Sequence, residues 1–282
     1  MKVAYLGPKG SFTQKAAKKL FINQELISIK PIRKVVEAVE KNEVELGVVP
    51  IENFFEGEVI ETLDSLTDSE NVKIVQELSM DIQHSLGVLQ KGAEIKQVLS
   101  KDQALNQCSK YLCENYPEAK TMSTQSTTDA IKRIKQENLT NSAAIADKQA
   151  LLNSGFKIIS ENLCPENKTR FAVIGKKIFE PTGSDKTFLV FYPQEKDHPG
   201  TLYGNLGFFA NLGVNLEYIQ SRPDGRGGYK FYIELDGHEK DKPVKIALQA
   251  LKQALDPKEI YPNSVKTLGS YKNTNWKNNR TG

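Results

Sequence analysis

The sequence is poor in cysteine and has no long apolar run, and these two absences exclude several classes of protein. The 282 residues include three cysteines, Cys108, Cys113 and Cys164. An odd number without Cys-x-x-Cys spacing argues against a disulfide framework and against a zinc site. No segment approaches the roughly 18 consecutive apolar residues of a membrane span, and Met1 to Gly7 is more typical of a first strand than of a signal peptide. We therefore expect a cytoplasmic protein with no membrane partner.

The sequence also lacks a surplus of charge of one sign. Lys and Arg total 38 while Asp and Glu total 35, which gives a formal net charge of +3. Because the two signs alternate along most of the chain, we expect no nucleic-acid partner. The polar, basic end of the chain, residues 273–282, is predicted to be a flexible tail.

The first 180 residues alternate short apolar strands with amphipathic helices. Lys2 to Leu6 is strand-like, and a helix is predicted after the turn Gly7-Pro8-Lys9-Gly10. Two extended stretches fill 72–89, after which strand–helix units resume, including a helix over Gln103 to Tyr116. This rhythm predicts an α/β fold with sheets covered by helices. Two α/β lobes joined by extended crossovers would place a cleft between them, which is a common ligand site.

A polar linker containing Pro and Gly, residues 180–186, separates a second pattern from the first. The residues from Thr187 to Ser270 follow the order β-α-β-β-α-β, which is typical of a ferredoxin-like unit. We therefore predict one domain at 1–180, a second at 186–272 and the tail beyond it.

The ordered motifs of the chain resemble those of prephenate dehydratases that carry a C-terminal, amino-acid-sensing ACT domain. The resemblance runs from residue 1 to about residue 271, and its main segments are Gly7-Pro8 with Gly10-Ser11-Phe12-Thr13, Val49 to Asn53 with Gly57, Ser100 with Gln103-Ala104-Leu105 and Gln107-Cys108, Ser126-Thr127, Asn167 with Thr169-Arg170-Phe171, and the two sensor motifs Gly200-Thr201-Leu202-Tyr203 and Gln220-Ser221-Arg222-Pro223. It implies a two-lobed catalytic region like a periplasmic binding protein, followed by a ferredoxin-like ACT domain.

The function that the resemblance implies is a lyase reaction, the decarboxylating dehydration of prephenate to phenylpyruvate in phenylalanine biosynthesis. It implies no cofactor and no metal. It also implies feedback inhibition by L-phenylalanine through the ACT domain and a homodimer or homotetramer, because ACT sheets usually pair edge to edge.

The resemblance makes Thr169 the best catalytic candidate, as a hydrogen-bond donor to the departing hydroxyl. A threonine hydroxyl is a poor acid, so net proton delivery needs a relay or water, or Glu52 if burial raises the pKa of its carboxyl group. Asn53, Gln107 and Ser100 are further catalytic candidates because they offer neutral donors. Read without the family, Thr169 is an ordinary strand residue, Gln107 a solvated helix residue, and Ser100 a residue near a helix cap.

Substrate binding is predicted at two helix starts and at two residues of the Asn167–Phe171 run, Arg170 and Phe171. Ser11 and Thr13 open one predicted helix and Ser126 and Thr127 another, where backbone N–H groups suit a carboxylate. The alternative is that these hydroxyls only cap the helices.

Arg170 and Phe171 complete the predicted substrate-binding set. If the run is extended, Thr169 and Phe171 share one face and Arg170 points the other way. Either Arg170 is partly structural, then, or the strand begins after it. His84 is interpreted as a structural residue in the extended middle of the chain.

The resemblance places the effector site in three segments of the second domain. The predicted residues are Gly200, Thr201 and Leu202, then Asn215 and Leu216, and finally Gln220, Ser221, Arg222 and Pro223. Three positions depart from the family pattern. Phe54 replaces a small hydroxyl residue, Lys101 replaces a histidine, and Gln220 replaces a glutamate of the sensor motif. The first two are expected to bear on the substrate pocket and the third on the strength of effector binding.

Two other functions remain open at this point. An arogenate dehydratase would use the aminated substrate on the same scaffold. A non-catalytic amino-acid-binding or solute-binding regulator would combine the two lobes with the sensor domain and lack turnover.

Overall fold

The computed structural model of the chain describes residues 1–193, 199–225, 227–256 and 264–274. Residues 275–282, most of the predicted tail, lie outside the described residues. Within the described ranges, no helix has the length and apolar content needed to cross a membrane.

The first sheet is mixed and draws most of its strands from the start of the chain. In order, the elements are β1 (Lys2–Leu6), α1 (Phe12–Leu20), β2 (Glu25–Ile29), α2 (Ile32–Glu40), β3 (Leu46–Asn53), β4 (Gly57–Glu58), α3 (Ile60–Asp68) and β5 (Lys73–Asp81). Together with a later strand, β11 (Lys168–Gly175), they form a sheet of order β2-β1-β3-β11-β5, and β4 pairs with β3.

The second sheet is formed by the middle of the chain. Its elements are β6 (His84–Val88), β7 (Gln97–Ser100), α4 (Asp102–Gln107), α5 (Ser109–Asn115), β8 (Lys120–Ser123), α6 (Thr127–Gln136), β9 (Ser142–Asp147), α7 (Lys148–Asn153) and β10 (Lys157–Ser160). The strand order is β10-β6-β9-β7-β8, with β7 parallel to both β8 and β9. These two mixed sheets confirm the predicted α/β class of the first part of the chain.

The third sheet is antiparallel. Its elements are β12 (Asp185–Phe191), α8 (Thr201–Ala210), β13 (Leu216–Pro223), β14 (Tyr229–Asp236), α9 (Lys242–Leu255) and β15 (Val265–Lys272). The strand order β13-β14-β12-β15 in a β-α-β-β-α-β chain confirms the predicted ferredoxin-like arrangement. Its core joins apolar residues of both helices and the sheet, among them Leu189, Phe209, Ile233 and Leu251.

The chain divides into two compact units that do not follow the order of the sequence. The first comprises Met1–Val35, Val48–Ile60 and Ser79–Phe171. The second comprises Val36–Gly47, Glu61–Leu78 and the chain from Ala172 onward. The predicted catalytic region, residues 1–180, therefore contributes segments to both units.

Within the second unit, helix α3 is held to the antiparallel sheet by polar contacts. Asp64 Oδ1 accepts hydrogen bonds from Lys230 Nζ at 2.7 Å and from the buried Tyr232 hydroxyl at 2.8 Å. At the other end of the helix, Lys266 Nζ donates to the carbonyls of Leu66 at 2.9 Å and Thr67 at 2.6 Å. A cation at a helix C-terminus also interacts favourably with the helix dipole.

This contact predicts an acid-sensitive contribution to stability. Burial disfavours the Asp64 carboxylate, but the hydrogen bonds from Lys230 and Tyr232 outweigh burial and lower its pKa below the ordinary value of 3.8. A carboxyl group whose pKa is lower in the folded state stabilises the fold above its unfolded pKa, and this stabilisation is lost as pH falls through the folded pKa.

We therefore expect Asp64→Asn to reduce the free energy of unfolding near neutral pH, and the difference from the unmodified protein to shrink below about pH 4. Denaturant titrations across that range measure it. Glu61→Gln, an exposed change on the same helix, is the matched control and should have a smaller effect. If Asp64→Asn lowers the free energy of unfolding by the same amount at every pH, the stabilisation does not come from the charge of Asp64.

Candidate active site

Side chains from both mixed sheets meet in one hydrogen-bonded cluster within the first unit. Asn53 ends β3, Asn167 directly precedes β11, and Thr169 is its second residue. Gln107 ends α4, and His84 begins β6. Each of the five lies at or beside the end of a regular element, so backbone geometry fixes where each side chain starts.

The orientation of the Asn53 amide follows from a backbone donor. The Phe55 N–H donates to Asn53 Oδ1 at 3.1 Å, and a backbone N–H can only donate. Asn53 Nδ2 therefore faces Thr169 Oγ1 at 2.9 Å and Asn167 Oδ1 at 3.2 Å. Because the Thr169 oxygen accepts from Asn53, its own proton is available for donation to another molecule.

Gln107 connects Asn53 to the second sheet. Gln107 Nε2 donates to Asn53 Oδ1 at 3.1 Å, while Gln107 Oε1 accepts from Asn167 Nδ2 at 2.8 Å. The same Oε1 lies 3.1 Å from His84 Nε2. Networks of this kind, in which amides satisfy one another, favour a single arrangement of the side chains.

Burial sets the charge state of His84. Its side chain is 3% exposed and meets the ring of Phe12 edge-on, with 5.5 Å between the ring centroids. Burial lowers the pKa of His84, although the hydrogen bond with Gln107 and the charge of Asp147 oppose the shift. The ring is therefore neutral at neutral pH.

Arg170 and Glu52 form an ion pair on the other face of the same two strands. β11 begins at Lys168, so alternation directs Arg170 away from Thr169, and Glu52 likewise points away from Asn53. Arg170 Nε lies 3.2 Å from Glu52 Oε2, and the side chains are 0% and 9% exposed. The geometry thus gives Glu52 a guanidinium partner and does not place it in the Thr169 cluster.

Two further predicted residues are buried without joining the cluster. Ser100 Oγ donates to the carbonyl of Ile145 at 2.6 Å and so ties β7 to β9. Phe171 is 1% exposed. Of the predicted catalytic set, the structure brings Thr169, Asn53 and Gln107 together.

The two predicted anion-binding helix starts lie close to each other. Ser11 caps α1 by accepting from the Gln14 N–H, and Ser126 caps α6 by accepting from the Asp129 N–H. A Cβ built on Gly10, whose φ is +84°, would lie 3.1 Å from the Thr128 methyl. Thr127 is the first residue of α6, and Thr13 lies buried in the first turn of α1.

The predicted effector residues lie at the start of α8 and along β13. Gly200 caps α8 with φ of 91°, and Thr201 and Leu202 follow in its first turn. Asn215 Nδ2 donates to Asp236 Oδ2 at 2.9 Å. Next to Asn215, Leu216 begins β13, which ends with Gln220, Ser221, Arg222 and Pro223. Gln220 accepts from the Tyr218 hydroxyl, and Arg222 Nη2 lies 4.0 Å from Asp64 Oδ2.

Two members of the cluster, Asn167 and His84, were not among the predicted site residues. Asn167 lies two residues before Thr169 in the same motif. Because residues two apart on an extended run share one face, this spacing was a signal that Asn167 lies beside Thr169. His84 had no such signal, because its partner Gln107 lies in a different helix and the pairing appears only in three dimensions.

Comparison with known proteins identifies the family of the chain. A family model described as prephenate dehydratase matches residues 3–178. A bifunctional chorismate mutase/prephenate dehydratase of Pseudomonas aeruginosa is 38% identical over 96% of this chain and 73% of its own length. A prephenate dehydratase of Methanocaldococcus jannaschii is 34% identical over 95% of this chain and 97% of its own.

A solved structure shows the same likeness in three dimensions. The prephenate dehydratase of Arthrobacter aurescens, determined in complex with L-Phe, superposes with a TM-score of 0.85 at 31% identity, covering 97% of this chain and 90% of that one. The match of the family model to more than half of the chain, together with these relatives, shows that the chain belongs to the prephenate dehydratase family.

Proposed function

We propose that this protein converts prephenate to phenylpyruvate, carbon dioxide and water in the cytoplasm, within phenylalanine biosynthesis. The observation that carries the proposal is the hydrogen bond from Asn53 Nδ2 to Thr169 Oγ1, which leaves the Thr169 proton to be donated. The reaction breaks a carbon–carboxylate bond and a carbon–hydroxyl bond, and the ring becomes aromatic. The departing hydroxide needs a proton to leave as water, and no proton has to be removed from the substrate.

The roles of the cluster follow from that chemistry. The Thr169 O–H donates to the departing hydroxyl oxygen, and the proton that Thr169 gives up is replaced from water. Asn53 donates to Thr169 Oγ1 and so stabilises the negative charge that develops there. Gln107 holds the Asn53 amide in that orientation. Fixed neutral donors of this kind need no reorganisation during the reaction.

The substrate carboxylates are proposed to lie at the starts of α1 and α6. Both helices present backbone N–H groups and the positive end of a helix dipole to an anion. The close approach of Gly10 to Thr128 supports the idea that the two starts serve one ligand. Ser11, Thr13, Ser126 and Thr127 would then act by capping and shaping these starts.

The alternative substrate is arogenate, which carries an ammonium group where prephenate carries a ketone. Equal concentrations of both substrates in one reaction, with phenylpyruvate and phenylalanine quantified together, test the preference. We expect phenylpyruvate to dominate. An excess of phenylalanine would instead assign the chain to the arogenate-using reaction, and binding of both without turnover would favour a regulator.

Residues 186–272 are proposed to form an ACT domain that binds L-phenylalanine. The ferredoxin-like sheet and the sensor motifs support this, and a 31% identical relative was solved with L-Phe. We expect saturating L-phenylalanine to lower the prephenate turnover rate several-fold. At about 100 times its dissociation constant it should also stabilise the fold by about 2.7 kcal/mol.

Rate and melting curves with L- and D-phenylalanine check this regulation, the D-enantiomer serving as the control. An L-phenylalanine melting shift with an unchanged rate would contradict feedback inhibition. Gln220 stands where the family's sensor motif has a glutamate. We expect this difference to change the L-phenylalanine concentration that is needed for inhibition.

The sheet edge formed by β13 supports a homodimer or homotetramer. β13 ends the described strand order β13-β14-β12-β15, and Ile219 on it is 44% exposed. An open strand edge with apolar side chains favours pairing with a second sheet. Light scattering of the purified protein gives the oligomer mass.

A further inference from the structure

We propose that His84 is a positioning residue of the proposed dehydratase, which acts through Gln107 and Asn53, together with the Phe55 N–H, to hold the proton of Thr169 outward. The four side chains form one directional series of hydrogen bonds. It runs from His84 Nε2–H to Gln107 Oε1, from Gln107 Nε2 to Asn53 Oδ1, and from Asn53 Nδ2 to Thr169 Oγ1. The catalytic part of this role rests on the proposed function. The tautomer of His84 is independent of it, because it is a property of the protein without substrate.

The Phe55 backbone N–H shows in which direction the series runs. Its N–H donates to Asn53 Oδ1, so that oxygen is an acceptor and the Gln107 atom facing it is the donor Nε2. Gln107 Oε1 is consequently the atom that faces His84. Two acceptors cannot share a hydrogen bond, so His84 must carry its proton on Nε2.

The other tautomer would reverse the outcome at Thr169. With the proton on Nδ1, His84 Nε2 would be an acceptor facing the acceptor Gln107 Oε1. This repulsion would favour a Gln107 amide turned with its nitrogen towards His84, with loss of the hydrogen bond that Gln107 Oε1 accepts from Asn167 Nδ2. Gln107 Oε1 would then face Asn53, whose nitrogen would turn towards it, and Asn53 Oδ1 would take the Thr169 proton. The Phe55 N–H would lose its acceptor, and the hydroxyl would have no proton to donate to the substrate.

The surroundings keep His84 neutral, and its Nδ1 has no hydrogen-bond partner among the described residues. The ring is buried against Phe12, and the charges near it balance. Asp147 stands opposite His84 in the β6–β9 ladder and is paired with Lys15 of α1, whose ammonium lies 5.6 Å from the centroid of the Phe12 ring. A buried position with balanced charges favours one neutral form of the imidazole over the imidazolium.

The first test is spectroscopic and uses the unmodified protein. Long-range ¹H–¹⁵N NMR correlations of the His84 ring distinguish a protonated from an unprotonated nitrogen. We expect a protonated Nε2 and an unprotonated Nδ1 near neutral pH. A proton on Nδ1 alone would overturn the proposal, whatever the substrate of the enzyme is.

The second test uses two variants. His84→Gln places an amide donor near the position of Nε2, whereas His84→Leu fills the space without a donor. We expect His84→Leu to lower kcat for prephenate about tenfold with little change in KM. His84→Gln should keep kcat within about threefold of the unmodified enzyme, since the donor is retained.

The outcomes separate positioning from packing. An unchanged kcat in His84→Leu would overturn the proposal, as would equal losses in both variants. If His84→Leu does not fold, the His84→Gln rates and the NMR tautomer still decide. If the unmodified protein does not convert prephenate, the proposed function fails, but the tautomer result remains valid by itself.

Discussion

Thr169→Val is expected to lower kcat for phenylpyruvate formation about 10²–10³-fold, the range for removing one preorganised donor to a developing negative charge. Valine keeps the shape of threonine but has no hydroxyl, so the departing oxygen loses its donor. The change also takes the Oγ1 acceptor from Asn53 Nδ2, which keeps Asn167 Oδ1 at 3.2 Å. The fold should therefore survive the substitution.

Thr169→Ser is the matched control because it restores the hydroxyl. We expect its kcat to stay within about tenfold of the unmodified enzyme, with the remaining loss due to the freer rotation of serine. Steady-state rates of phenylpyruvate appearance measure both variants. Turnover by Thr169→Val at the rate of Thr169→Ser would remove the hydroxyl from the mechanism.

Glu52→Gln is expected to reduce the free energy of unfolding by about 3 kcal/mol. Glu52 faces Arg170, whose side chain is fully buried, at 3.2 Å. Removing the negative partner of a buried pair takes a favourable interaction from a desolvated positive charge, and such changes cost about 3–5 kcal/mol. Denaturant unfolding at neutral pH measures the loss, and Glu56→Gln, an exposed change nearby in the chain, should be close to neutral.

The same variant separates two roles for Glu52. If Glu52 only pairs with Arg170, the folded fraction of Glu52→Gln at low temperature should keep kcat within about tenfold of the unmodified enzyme. If Glu52 supplied the proton, kcat would fall by about 10²–10⁴ even in the folded protein. A stable but inactive Glu52→Gln would contradict the assignment of proton donation to Thr169.

The sequence predicted the strands of the site better than its helices. Alternation along the Asn167–Phe171 run correctly separated Thr169 from Arg170, since the period of two holds wherever a strand is extended. The single helix predicted over Gln103 to Tyr116 was wrong, because the chain breaks at Cys108 into α4 and α5. Cys108 has φ of −95° and ψ of 5° and is buried in the core of the second sheet. Apolar spacing continues across the break, so periodicity alone did not reveal it.

The start of helix α3 is another boundary that periodicity does not reveal. Gly57 and Glu58 pair with Asn53 and Glu52 as the short strand β4, and the helix begins at Ile60. A two-residue strand is too short to show the strand period in the sequence, so β4 is recognised only from its pairing in the structure. β3 and β4 therefore form a hairpin just beyond Asn53.

The hydrogen-bond partners of the site could not be predicted from the sequence. Gln107 and His84 lie 23 residues apart and Gln107 and Asn53 lie 54 apart, on different elements. The direction of the amide series depends on the Phe55 backbone N–H, which is a property of the folded turn. Residue types and motif order indicated the candidate donors, and the fold supplied their arrangement.

The most direct test of the account is the rate of phenylpyruvate formation when the purified protein is mixed with prephenate alone, without metal or cofactor. The account predicts saturable turnover well above the uncatalysed reaction, carried by the Thr169 hydroxyl that Asn53 orients. A protein that binds prephenate, as shown by a thermal shift, yet forms no phenylpyruvate above the uncatalysed rate would contradict it.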